Sequence, residues 1–396
     1  MQESAIPRLL LIGIFGGLFF GYVGLTSVIP VLPSFARDRL GASNLVVGLI
    51  VTATAVTALL IRPVAGSLAD RYGHRLVMQV GALIVAAGGV LYFLPLGLIG
   101  LVAVRLLLGA GEASLFTAGA VWTVSIAPHH RRGQLIGLYG VSMWGGISVG
   151  TLLGATLLHF GYNAVWGFSA AAPLVGLVLI SAVPALARAG QAAAAPGGGR
   201  GLLLRPALIP GLGLMLAAAG YAGLASFVVL DLRAHGIGSG VVVLSCFSAV
   251  YAATRLFIGH LPDTLGPRRV AAWSGVGEAV GLLIIAVAPN LPVAIIGALV
   301  MGVGFSLLHP SLALMVMNRT DSARQGAALG AYTSFWDLGL AVWGPVMGVV
   351  ATGLGYPAVF VVGAGCALAA SGVALGIRQP TVQPGPQPGP QPATAS

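Results

Sequence analysis

The sequence predicts an all-α membrane protein: twelve transmembrane helices arranged as two six-helix repeats. Three observations carry that prediction. First, only 7% of the 396 residues are charged while 57% are hydrophobic, and the mean hydropathy is +0.98. A domain whose surface faces water needs far more charge than this, whereas lipid permits such a composition. Second, twelve apolar runs can be drawn, each about 20 residues long and so able to cross a bilayer as a helix. Third, the first six runs and the last six share polar landmarks at one constant spacing.

The first six runs cover residues 8–30, 45–66, 76–95, 98–125, 133–157 and 164–186. The second six cover 207–230, 241–261, 270–288, 291–315, 326–350 and 357–377. The first run is too long for a signal-peptide core and has no small-residue cleavage site after it, so it reads as a membrane span. Four segments follow: a six-helix bundle over 1–186, a cytoplasmic linker over 187–206, a second bundle over 207–377 and a tail over 378–396. The linker contains the Ala/Gly/Pro stretch Gln191–Arg200, which has no helical face, and the tail repeats Gln-Pro-Gly-Pro, a polyproline-like or disordered composition.

The basic excess, +10, is entirely arginine, since the chain has no lysine. The arginines sit singly or in pairs between apolar runs rather than on one element, which argues against a nucleic-acid surface. With the N-terminus inside, thirteen arginines fall in cytoplasmic segments and three (Arg37, Arg39, Arg233) outside. That bias predicts both termini in the cytoplasm. Cys246 and Cys366 each lie in an apolar run and suggest neither a disulfide framework nor a metal site.

The repeat has an offset of 193 residues, as from Arg62 to Arg255. At that offset Gly66, Asp70, Gly73 and Arg75 align with Gly259, Asp263, Gly266 and Arg268. Gly109 and Gly111 align with Gly302 and Gly304, and Arg131, Gly133, Gly137 and Tyr139 with Arg324, Gly326, Gly330 and Tyr332.

The stretch Gly66-Ser-Leu-Ala-Asp70-Arg71-Tyr-Gly73-His74-Arg75 resembles the loop between the second and third helices of the major facilitator superfamily, G-x-L-x-D-R-x-G-R-R/K, with His74 at the ninth position. Gly259-His-Leu-Pro-Asp263-Thr-Leu-Gly266-Pro-Arg268 is its more degenerate second copy. The resemblance runs from Leu9 to Ile377 and implies the fold of that family and transport by alternating access. It also implies that Gly66, Asp70, Arg71, Gly73, Arg75, Asp263 and Arg268 govern the balance of conformations, with Asp70 facing a helix end and the arginines pairing across the cytoplasmic seam.

Arg105-Leu-Leu-Leu-Gly109-Ala-Gly111-Glu112 resembles the fourth-helix R-x-x-x-G-x-G of proton-coupled members. Arg105 and Glu112 share a helix face, with Glu112 near mid-bilayer. A charged group there costs about 2.5–3.5 kcal/mol on insertion scales and marks a functional position. Asp337, mid-way along the eleventh run, meets the same argument. Its repeat mate is Trp144, and the mate of Glu112 is Phe305. Glu112, Asp337 and Arg105 are therefore the expected proton-coupling residues.

Glu278 lies in the ninth run, peripheral in the family fold, and is assigned a structural role. Asp231 and Arg233 are expected to form an outer mouth. The candidate substrate cavity comprises Tyr22, Trp122, Trp144, Tyr221, Tyr251, Phe305, His309 and Trp336, with Phe19, Phe20 and Phe335 as further aromatic candidates. Gly146, Gly150 and Gly154 form a small-residue stripe on the fifth run that permits close helix packing.

The resemblance narrows to drug:proton antiporter-like members on Gly111-Glu112 with Trp122, and on Gly330-Ala-Tyr332 with Asp337 and Gly344-Pro345. It implies a proton-coupled exporter of a drug or small natural product, with proton-coupled import of a small organic solute, or a non-transporting membrane sensor, as the alternatives. It also implies a monomer in the inner membrane of a bacterium. The partners would be a small-molecule substrate, protons and lipid; no nucleic acid, cofactor or metal is expected. No phosphate-cradling loop or hydrolase elbow occurs, so neither ATP-driven pumping nor an enzyme is expected.

Overall fold

The computed structural model describes residues 8–127, 132–183, 205–320 and 325–377. The proposed linker, apart from Arg205 and Pro206, lies outside the described residues, as do the tail and Arg131, Arg188, Arg200, Arg324 and Arg378.

Twelve helices long and apolar enough to span a membrane are present among the described residues. In chain order they are α1 (Arg8–Ser27), α2 (Asn44–Tyr72), α3 (His74–Leu91), α4 (Gly97–Ile126), α5 (Arg132–Leu157) and α6 (Tyr162–Ala182), then α7 (Arg205–Ala234), α8 (Gly240–Ile258), α9 (Pro267–Ala286), α10 (Leu291–Met317), α11 (Gln325–Leu354) and α12 (Tyr356–Gly376). The fold is that of two six-helix repeats. α1 and its repeat mate α7 are the most deeply buried of the twelve, because the glycines of α1 and the glycines and alanines of α7 let neighbours close on every side.

The first run is longer than its apolar core suggests. After a turn at Val28–Val31 that contains Pro30, a short helix Leu32–Leu40, with Pro33 in its first turn, continues it and carries Arg37 and Arg39. The expected loop between the second and third spans is hardly a loop. α2 continues through Asp70 and Arg71 to Tyr72, and one residue, Gly73 at φ 98°, turns the chain into α3. Only glycine takes that backbone conformation without strain. In the second repeat, Pro262 interrupts the equivalent stretch, leaving a short helix Leu261–Leu265 before Gly266 at φ 87°.

The repeat extends to individual hydrogen bonds. The Tyr139 hydroxyl on α5 donates to the carbonyl of Phe116 at 2.7 Å, and the Tyr332 hydroxyl on α11 donates to that of His309 at 2.9 Å. Donor and acceptor are both displaced by the repeat offset, so each half ties its fifth helix to its fourth at the same point. Arg75 Nη2 donates to the Ser181 carbonyl, and its mate Arg268 Nη2 to the Leu375 carbonyl. Both bonds stay within one half.

The glycine stripe of α5 packs directly on α1. A Cβ at Gly146 would overlap Phe19 and Tyr22, one at Gly150 would overlap Val23 and Thr26, and one at Gly154 would overlap Ser27. The two halves also meet at the face that bears Asn44 and Leu354. There Gly48 of α2 lies against the Gly344 backbone of α11, and Gly348 lies against Asn44 and Leu45. The Tyr356 hydroxyl donates to Asn44 Oδ1 at 3.2 Å, and Arg233 pairs with Asp38 of the short helix. At the opposite, arginine-rich face, a Cβ on Gly137 of α5 or on its mate Gly330 of α11 would meet nothing within 4 Å.

Candidate functional site

Between the halves lies a cavity of about 70 Å³, lined from α1, α2, α4 and α5 on one side and α7 and α11 on the other. Its polar lining includes Tyr22, Thr26, Thr52, Thr54, Arg105, Glu112, Tyr221 and Asp337, and its aromatic walls are Trp144 and Trp336. Glu112, Asp337 and Arg105, which the sequence singles out separately, thus face one space.

The glycines of α4 explain how Glu112 comes to face it. Gly109 lies against the Thr54 carbonyl of α2, and Gly111 against Gly81 of α3, at distances that exclude a Cβ. With two faces of α4 pressed against neighbours, the next residue projects into the cavity. There Tyr22 on α1 donates its hydroxyl to Glu112 Oε1 at 3.3 Å. Among the described residues Glu112 forms no ion pair.

Arg105, which also lines the cavity, is held to α2. It is 1% exposed, and it donates Nε to the Ile50 carbonyl at 2.9 Å and Nη2 to the Val51 carbonyl at 2.7 Å. The guanidinium braces the part of α2 nearest Gly48 rather than pairing with Glu112.

Asp337 also has a partner that the sequence does not announce. Arg62 of α2 donates Nε to Asp337 Oδ2 at 2.5 Å and Nη2 to Oδ1 at 3.1 Å. The pair joins the two halves across 275 residues of chain, with side chains 12% and 2% exposed. The Arg62 guanidinium also lies 4.7 Å from the ring of Phe116, one turn beyond Glu112 on α4. Its third nitrogen, Nη1, is buried without an acceptor. Arg62 is the residue that sequence reasoning passed over. Two signals pointed to it: a permanent cation within an apolar run, and an arginine mate at Arg255.

The aromatic candidates divide. Trp144 contacts Tyr251 at 4.7 Å, Trp336 at 5.7 Å, His309 at 6.2 Å and Phe305 at 6.3 Å between ring centroids. Tyr221 stacks on Phe305 at 5.8 Å with the rings 7° apart. Tyr22, Trp144, Tyr221 and Trp336 line the cavity, and Tyr251, Phe305 and His309 pack behind them. Trp122 is instead part of the first half's apolar core. Phe19 and Phe20 pack edge to face on α1, and Phe335 fills the space beside Gly211.

Of the residues of the loop motif, Asp70 is exposed at the end of α2 and the Arg71 guanidinium lies 5.3 Å from the Tyr72 ring. Asp263 is in the first turn of the short helix Leu261–Leu265. Asp231 and Arg233 do not pair with each other: Asp231 meets His235 at 3.1 Å, while Arg233 reaches across to Asp38. Glu278 is wholly buried, with both carboxyl oxygens lacking hydrogen-bond partners, against Gly220 of α7.

A model of the major facilitator superfamily matches residues 14–232 and again 210–395. The chain belongs to the major facilitator superfamily. Its relatives include uncharacterized MFS-type transporters from bacteria. One from Burkholderia mallei (strain SAVP1) is 32% identical over 386 residues, covering 94% of this chain and 93% of the relative. One from Salmonella typhimurium (strain LT2) is 30% identical over 365 residues, covering 90% and 93%. Among solved structures, a variant of the nucleoside transporter NupG is similar at a TM-score of 0.75 and 16% identity, over 92% of this chain and 99% of that one. The human organic anion transporter MFSD10 is similar at 0.69 and 19%, over 93% and 100%. These two likenesses show the fold. As a family member this transporter is a multi-pass membrane protein, and its cavity lies between the two halves.

Proposed function

We propose that this transporter is a proton-coupled exporter of small, amphipathic aromatic compounds, working by alternating access as a monomer in a bacterial cytoplasmic membrane. The observation that carries the reading is Glu112. It faces the inter-half cavity at mid-helix, accepts a hydrogen bond from Tyr22, and forms no ion pair among the described residues. A carboxylate in such a place is costly when ionised, so it favours a proton and gives it up when water or a cation arrives. Trp144, Tyr221 and Trp336 supply flat apolar walls for an aromatic substrate.

Six helices on each side of the cavity act as the rocking units, joined through 187–206. The arginine bias makes the face bearing Arg8, Arg71 and Arg75 cytoplasmic. The close contact of Gly48 with Gly344 then seals the outer face, and the conformation is inward-facing. The residues Gly66, Asp70, Arg71, Gly73 and Arg75, with Asp263 and Arg268, form the cytoplasmic hinge and cap.

A pump-deficient bacterial host expressing the transporter tests direction and coupling together, with ethidium as the probe. Lower accumulation in energised cells, abolished by nigericin, supports proton-driven export. Higher accumulation would replace export by import. Lower accumulation insensitive to nigericin would remove the proton from the scheme.

A further inference from the structure

Arg62 stands between two carboxyl groups that it does not treat equally. Two of its nitrogens hold Asp337 on α11. Its planar face rests on Phe116, one helical turn from Glu112 on α4, and its Nη1 is buried with no acceptor. A guanidinium carries five N–H donors in a fixed fork, and leaving one side unmet in an apolar interior is costly. The charged groups within electrostatic reach of Glu112 are Asp337, Arg62 and Arg105, with the hydroxyls of Tyr22 and Tyr221 beside them. Tyr139 of α5 packs on the same Phe116 ring, with centroids 5.6 Å apart. Arg105 donates Nε and Nη2 to the carbonyls of Ile50 and Val51 and, like Arg62, keeps a buried Nη1 without an acceptor; what sets Arg62 apart is that it already holds the other cavity carboxylate, Asp337.

We propose that Arg62 exchanges partners, moving from Asp337 to Glu112 when Glu112 loses its proton, and that the vacated Asp337 carboxylate then takes an aromatic monocation as substrate. This deepens the reading of Glu112 as the proton carrier and rests on it. Charge balance supports the exchange. With Glu112 protonated, Arg62 and Asp337 cancel. With Glu112 ionised, Arg62, Asp337 and Glu112 carry one net negative charge, which one organic cation neutralises. Asp337 lies in the cavity lining with Trp336 next to it in sequence and Tyr221 and Trp144 across from it, the setting in which a delocalised cation gains from ring faces as well as from a carboxylate. Arg62 is thus a positioning residue: it converts the loss of a proton at one carboxyl into a vacancy at the other.

The test is equilibrium binding of tetraphenylphosphonium to the purified full-length protein across a pH series. Wild type should bind more tightly as pH rises, approaching about tenfold per pH unit below the midpoint, because one proton leaves for each cation bound. Glu112→Gln should bind weakly at every pH, since Arg62 is never drawn away. Arg62→Gln should do the opposite, binding tightly and without pH dependence. Asp337→Asn should not bind at any pH.

Weaker binding by Arg62→Gln, or retention of the wild-type pH dependence, overturns the exchange, because a purely structural arginine gives one or the other. Tight, flat binding by Arg62→Gln together with pH-dependent binding by Glu112→Gln keeps the Arg62 gate and removes Glu112 as the proton carrier, so the two ideas fail separately. Should Arg62→Gln not fold, Arg62→Lys supplies the test. Its single ammonium head grips Asp337 less well than the fork, so binding at acid pH should exceed wild type. Unchanged acid-side affinity would overturn the exchange.

Discussion

Arg62 of α2 and Asp337 of α11 form a two-pronged ion pair that ties the first six helices to the last six at the cavity. Removing one member of a buried pair leaves an uncompensated charge and costs about 3–5 kcal/mol, whereas removing both leaves neither charge exposed to the apolar interior. The double variant Arg62→Gln/Asp337→Asn should therefore be more stable than Asp337→Asn alone. Thermal unfolding in detergent measures this; simple addition of the two single effects would argue that the pair is uncoupled.

Tyr139 and Tyr332 make repeat-related hydrogen bonds to backbone carbonyls of α4 and α10. Tyr139→Phe and Tyr332→Phe should each lose about 0.5–1.5 kcal/mol, the net worth of such a bond. The two sites lie in different halves, so their effects should add. A large difference between them in thermal unfolding would mean that the shared geometry does not reflect a shared role.

How much of this was legible beforehand follows from what each feature depends on. The spans and their repeat are local consequences of hydropathy and of glycine, arginine and tyrosine landmarks, and they were readable residue by residue. The continuation of α2 to Tyr72 was not, because the polar run Asp70-Arg71 resembles a loop when its helical hydrogen bonds are not in view. Glu112 and Asp337 stood out because acids in apolar runs are rare; that they share one cavity depends on how the halves dock. The partner of Asp337 was hidden for the same reason: Arg62 lies 275 residues away, and nothing local connects them. The hold of Arg105 on α2 was not legible either, since only packing reveals that the Ile50 and Val51 carbonyls lie within its reach.

In the proposed orientation, the backbone contact of Gly48 with Gly344 closes the outer face. Gly48→Val places side-chain atoms where the Gly344 carbonyl sits and should force the outer ends of α2 and α11 apart. With Cys246 and Cys366 replaced by serine, a reporter cysteine at Leu340 in the cavity should react faster with an external, membrane-impermeant maleimide in the Gly48→Val background. Unchanged labelling would mean that these glycines do not close the outer face.

Thirteen arginines against three favour a cytoplasmic N-terminus. Reporter fusions after residue 195 and at the C-terminus should both read cytoplasmic. An external reading at either site would reverse or break the topology.

The central claim is that Glu112 carries the coupling proton. Proteoliposomes with an imposed pH gradient measure it directly, with ethidium as the transported probe. Wild type should concentrate the dye against its gradient. Glu112→Gln should lose that accumulation, and Glu112→Gln/Arg62→Gln, in which Asp337 is no longer covered, should let the dye equilibrate across the membrane without concentrating it. Gradient-driven accumulation by Glu112→Gln at the wild-type level would contradict the account and move the proton to another group, with Asp337 the first to examine.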